Sequence, residues 1–138
     1  MKRFLTFLII HVVLFGNTAT SFGNDQHVEN CSNKDREYAK YYDPEDAYNF
    51  GRKIKSLVKE KNLEGLFALV EGELTSGPRK QFVKGKNFSD IFPDDWRKDL
   101  LNSDPPCSPV GWRGFMLASG SIWFNRKDDK WNVFSING

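Results

Sequence analysis

A chain of 138 residues carrying 20 Lys and Arg against 18 Asp and Glu is long enough for one domain with one hydrophobic core and too short for two. Setting aside Lys2 and Arg3 leaves 18 bases against 18 acids. So even a balance, with no cationic amphipathic stretch, argues against a nucleic-acid partner and against a membrane-surface helix.

Lys2 and Arg3 give a positive start, Phe4 to Phe15 form an apolar run interrupted by Thr6 and His11, and the small residues Ala19, Ser21 and Gly23 follow. This is the pattern of a secretory signal peptide. The apolar run is shorter than the roughly 20 residues a helix needs to cross a bilayer core. Cleavage after any of the three small residues is compatible, and the cut before Asn24 is favoured. The expected organisation is a signal peptide over 1–23, an arm over 24–42 and a single domain over 43–138, in a periplasmic or secreted protein with no membrane attachment after cleavage. In that setting Cys31 and Cys107, the two cysteines of the chain, read as a disulfide. Two free thiols or a metal site are the alternative, although only His27 lies near either cysteine and no metal motif results. A bridge would enclose 75 residues. Loop-closure entropy then predicts a stabilisation of roughly 4 kcal/mol. The polar arm shows no period, and poor order is expected there, with Cys31 and the rings of Tyr38, Tyr41 and Tyr42 as its only anchors.

Asp43-Pro44-Glu45-Asp46 is a helix start: the first aspartate can cap, proline suits the first helical position, and acids favour the positive end of the dipole. Ala47, Phe50, Ile54, Leu57 and Val58 then recur at spacings of three and four, predicting an amphipathic helix to about Lys61. Arg52, Lys53, Lys55 and Lys59 fall on its wet side, a run that reads as a solvated face rather than a binding site. Asn62 opens a second helix carrying Leu63, Leu66, Phe67 and Val70, ending at Gly72. Lys80 to Lys84 alternate as a strand, Ser89 to Phe92 form a turn or short helix, and Pro93-Asp94-Asp95 opens another helix through Asn102 that buries Trp96, Leu100 and Leu101. After Pro105-Pro106-Cys107-Ser108-Pro109 the period changes. Gly111 to Ala118 and Ser121 to Arg126 read as strands joined by a two-residue turn at Ser119-Gly120. A charged turn over Lys127 to Lys130 leads to a last strand, Trp131 to Asn137, with Val133 on one face and Phe134 and Ile136 on the other. Helices first and a meander last predict an α+β fold, with N-terminal helices packed on one face of a curved antiparallel sheet that ends in a C-terminal β-meander.

Chemistry-bearing residues are sparse. His27 is the one histidine beyond the signal segment, so a nucleophile–histidine arrangement would need the arm to dock. Asp94 with Asp95, or Glu71 with Glu73, could form a carboxylate pair, but the aspartates suit a helix first turn better. Gly111, Gly114 and Gly120 do not have dinucleotide-loop spacing. No metal site and no cofactor are implied. Two clusters remain: Gly77-Pro78-Arg79-Lys80 and Gly111-Trp112-Arg113-Gly114. An arginine beside glycine and tryptophan can stack on the ring and grip a carboxylate through two parallel hydrogen bonds. Its structural alternative is an ion pair to Glu71, Glu73 or an aspartate. Arg79, Trp112 and Arg113 are therefore the candidate ligand-binding residues.

The run from Gly111 to Phe124, with Phe134-Ser135-Ile136-Asn137, resembles the C-terminal hairpin and strand of small exported bacterial proteins of uncharacterised function. With the helical pair Phe50 to Val70, the order over residues 44–137 is similar to the nuclear-transport-factor-2-like, or cystatin-like, group. That resemblance implies a pocket between sheet and helices, used by some members for catalysis with aspartate and histidine and by others for binding alone. With no histidine in the body of the fold, the expectation is a non-enzymatic binding domain, a monomer or homodimer, recognising a small ligand or protein partner in that concavity. The alternatives are a hydrolase or isomerase using a buried carboxylate there, and an inhibitor of an extracellular enzyme acting through a protruding loop such as Asn102 to Val110.

Overall fold

The computed structural model describes residues 30–138. The expected signal peptide, its cleavage point and His27 lie outside the described residues. Five helices precede a three-stranded antiparallel sheet, so the architecture is α+β.

Helix α1 (Pro44–Lys59) begins where Asp43 Oδ1 accepts the backbone N–H of Glu45 at 3.0 Å, with Pro44 in the first turn. Ala47, Phe50, Ile54 and Val58 make its buried stripe, while Leu57 is half-buried. Gly51 joins the stripe because the proline loop packs onto it: a Cβ there would lie 3.0 Å from Pro105 Cβ. Lys61 turns the chain at φ 53°, and Asn62 Oδ1 caps α2 (Leu63–Ala68) by accepting the Gly65 N–H at 2.8 Å.

Lys80–Val83 is a single helical turn, α3, and not the strand that alternation predicts. Over four residues the two periods cannot be told apart. Burial decides: Val83 alone turns inward, Phe82 stays 61% exposed, and Lys80 Nζ donates to the Val70 carbonyl. A capping box between Asn87 and Asp90 opens α4 (Phe88–Ile91), and α5 (Asp94–Asn102) buries Trp96 and Leu100. The Trp96 ring stacks on Phe92 at 4.3 Å, and its Nε1–H donates to the Asn137 carbonyl at 2.6 Å.

The sheet runs β1 (Phe115–Leu117), β2 (Ile122–Lys127) and β3 (Lys130–Ile136), in that spatial order. Phe115, Leu117, Ile122 and Phe124 are buried in one core with Phe50, Ile54 and Phe67. The rings of Phe50, Phe115, Phe124 and Trp131 lie 5.2 to 5.9 Å apart and fill the space between α1 and the sheet. Three expectations are corrected. The first strand starts late, because Gly111–Arg113 is a 3-10 turn and Gly114 takes φ 98°. The β1–β2 connection is four residues rather than two, since Leu117 pairs with Ile122. Val133 and Ile136 are both fully buried, because a bulge between Trp123 and Phe124 in the register inserts one residue and breaks the alternation. The turn after β2 is two residues, Asp128 and Asp129 at φ 49° and 61°, the positive pair a tight hairpin requires.

The outer edge of β3 is covered. Val133 N–H donates to Leu69, Ile136 N–H to Ser76, and the Thr75 N–H reaches the Phe134 carbonyl, at 2.8 to 2.9 Å. The described part of the arm, residues 30–42, makes more fixed contacts than its composition predicts. Cys31 and Cys107 form a disulfide with Cα atoms 5.6 Å apart, Asp35–Tyr38 forms a 3-10 turn, and Ser108 Oγ donates to Asp35 Oδ1 at 2.6 Å. Partners too distant in sequence to be seen by local pattern hold these residues.

Candidate functional site

The segment Val110–Gly114 closes on itself at the entry to β1. The Val110 N–H donates to the Gly114 carbonyl at 2.7 Å, and the Arg113 N–H to the Val110 carbonyl at 3.1 Å. Glycine is needed at 114 twice over: φ is 98°, and a Cβ would lie 2.7 Å from the Phe124 carbonyl oxygen. The loop is thereby held against β2 while its tip points outward. Trp112 is 94% exposed, and Arg113 is exposed beside it. Among the described residues Arg113 makes no ion pair; the pairs formed there are Arg36–Glu45 and Arg126–Asp129.

Trp112 stands between two depressions. One, of about 560 Å³, is walled by Tyr41, Pro109 and Trp112, floored by Tyr42 and Phe115, and edged by Asn125 and Arg126. The other, of about 270 Å³, lies on the sheet face away from the helices, among Thr75, Trp112, Arg113, Trp123, Phe134 and Ser135. Trp112 and Arg113 are thus brought together at one place. Arg79 is exposed at the start of α3 and lines neither depression. Tyr41, Asn125 and Arg126 come from the arm and from β2, and no sequence signal unites residues so far apart.

The polar groups around the larger cleft are fixed. Asn125 Oδ1 accepts from Asn132 Nδ2 at 2.7 Å, and Arg126 pairs with Asp129 at 3.1 Å. The Lys40 ammonium sits 4.7 Å over the Tyr41 ring. Hydrogen bonds from Ser108 and Ser32 hold the Asp35 carboxyl below its ordinary range. For Glu45, burial opposes ionisation, but the backbone N–H groups of Cys31 and Asn30 and the Arg36 guanidinium outweigh it and lower the pKa. Asp35 and Glu45 are half-buried while the other acids among the described residues are exposed, and each of the two is hydrogen-bonded. The buried polar residues there are Asn132 and Ser135. Among the described residues no group of three His, Cys, Asp or Glu side chains could hold a metal, and no helix is long and apolar enough to cross a membrane.

The arrangement offers an exposed indole, an unpaired guanidinium next to it, and an aromatic cleft with an amide and a second guanidinium at its edge. Such a surface can pack an apolar moiety and pair a negative group within one contact. Comparison with protein-family models, curated proteins and solved structures returns no match.

Proposed function

We propose that the chain is an exported, non-enzymatic binding domain that recognises a small ligand or protein partner through the Trp112–Arg113 loop and the cleft beside Tyr41. One observation carries this reading: a tryptophan left 94% exposed at the tip of a loop closed by a 2.7 Å hydrogen bond. Tryptophan and arginine dominate the energetics of protein contacts when a partner desolvates them, and a fixed loop loses little entropy on binding. The disulfide supports export to an oxidising compartment, periplasmic or extracellular. The helices-before-meander order supports the similarity to the nuclear-transport-factor-2-like group, with the site displaced from the interlayer space, which aromatic rings occupy, to its margin.

An inhibitor reading requires a protruding, rigid loop. Val110–Gly114 has that character, whereas much of Asn102 to Val110 is half-buried against α1 and the disulfide. A hydrolase or isomerase reading requires a buried, unpaired carboxylate, and the acids among the described residues are exposed or hydrogen-bonded. The test is capture of partners by the mature protein from the extracytoplasmic fraction of its own source, compared with Trp112→Ala and Arg113→Ala. Loss of a captured species in both variants, with folding intact, supports the proposal; identical capture by all three removes it.

A further inference from the structure

The cationic run on α1 is not one face. Arg52, Lys55 and Lys59, three and four residues apart, share a stripe with Tyr48, and α5 closes that stripe into a groove of about 690 Å³ by bringing Arg97 alongside. Lys53 lies on the other flank, with Asp46 and Asp129 in its surroundings. The groove thus holds four cations and one acid, Asp104.

Two of the four are held in place by backbone. Arg97 donates Nε–H to the Val58 carbonyl at 3.0 Å and Nη2–H to the Lys59 carbonyl at 2.7 Å, and Lys55 Nζ donates to the Ser103 carbonyl. These bonds satisfy donors without cancelling charge. The negative end of α1 accounts for cations at Lys59 and Arg97. It does not account for Arg52, two turns earlier, where the end effect has faded. Among the described residues neither Arg52 nor Lys59 forms an ion pair. Like charges gathered in one groove repel, and a multiply charged anion relieves all four at once.

We propose that the α1–α5 groove is a second binding site, for a phosphate or sulfate ester, held by Arg52, Lys55, Lys59 and Arg97 beside the Tyr48 ring. A tetrahedral oxyanion suits it because several oxygens can meet a guanidinium fork and separate ammonium groups together. The site is independent of the Trp112 loop and does not rest on the function proposed above.

The test exploits Lys53 as an internal control. Inorganic phosphate is titrated into the isotope-labelled protein at constant ionic strength, following backbone amides by nuclear magnetic resonance, in parallel with binding to phosphatidylglycerol vesicles. Arg52→Glu, Lys59→Glu and Lys53→Glu each change the charge equally at exposed positions of one helix. The expected result is saturable shifts in α1 and α5 or vesicle binding, weakened about tenfold by Arg52→Glu and by Lys59→Glu, and by less than about twofold by Lys53→Glu. Saturation by free phosphate without vesicle binding assigns a soluble ester; vesicle binding without saturation assigns a lipid headgroup. Equal weakening by all three variants, shifts that chloride reproduces, or no binding in either format overturns the proposal.

Discussion

Glu45 Oε1 accepts the backbone N–H of Cys31 at 2.9 Å, so the half-cystine of the arm and the first turn of α1 are joined by hydrogen bond as well as through the packed loop. The same oxygen takes the Asn30 N–H at 2.8 Å and faces Arg36 at 3.8 Å. One carboxylate therefore organises the whole start of the described chain.

Acid should release the arm before the core. The lowered carboxyls of Asp35 and Glu45 bind protons more weakly in the folded state than in the unfolded one. Their contribution is complete above the ordinary carboxylate range and is lost as pH falls through the depressed values. Protection against hydrogen exchange, taken relative to the intrinsic rate at each pH, should fall over residues 31–42 on acidification through that range while the amides of β2 and β3 stay protected. In Glu45→Ala the loss of protection should already be present at neutral pH. Uniform behaviour of arm and sheet in both proteins would refute this coupling.

Removing the bridge should loosen the arm more than the sheet. Cys31→Ser with Cys107→Ser should lower stability by roughly 4 kcal/mol in urea denaturation, the loop-closure value for a crosslink of this span. Mass spectrometry of the unreduced wild type should find no alkylatable thiol.

The aromatic core should be costly to empty. Phe115→Ala and Phe124→Ala should each destabilise by about 3–5 kcal/mol, and Leu117→Ala by about 2–5 kcal/mol. Effects near zero at all three would contradict the burial of this face.

The loop tip should behave in the opposite way. Trp112→Ala and Arg113→Ala should each change stability by less than about 0.5 kcal/mol, as expected for exposed residues, while abolishing partner capture. Arg79→Ala should leave capture unaltered, because that side chain lines neither depression. Loss of stability without loss of capture would return Arg113 to a structural role.

The sequence is legible where one segment carries its own instructions. Asp43, Pro44 and the stripe through Val58 specify α1 without outside help, and the apolar content of Phe115 to Ile136 announces the meander. Reading fails where a distant partner decides. Lys80–Val83 becomes helical because only Val83 finds cover, and Ile136 reaches the core because a bulge shifts its parity. The described part of the arm is held by Ser108 and Glu45, which lie well beyond any local window. For the candidate site, glycine spacing points to Trp112 and Arg113, but the cleft depends on Tyr41 and Arg126, whose meeting is a matter of topology alone.

The position of the disulfide also divides the molecule mechanically. Among the described residues all five helices lie between Cys31 and Cys107, and all three strands follow Cys107. The helical layer is therefore a covalently closed ring, and the sheet is an open tail laid across it. Under force applied between residue 30 and Gly138, the strands peel away in turn and extension halts at Cys107, with the ring shielded from load. Reduction opens that ring, and the same pull then runs on through the helices.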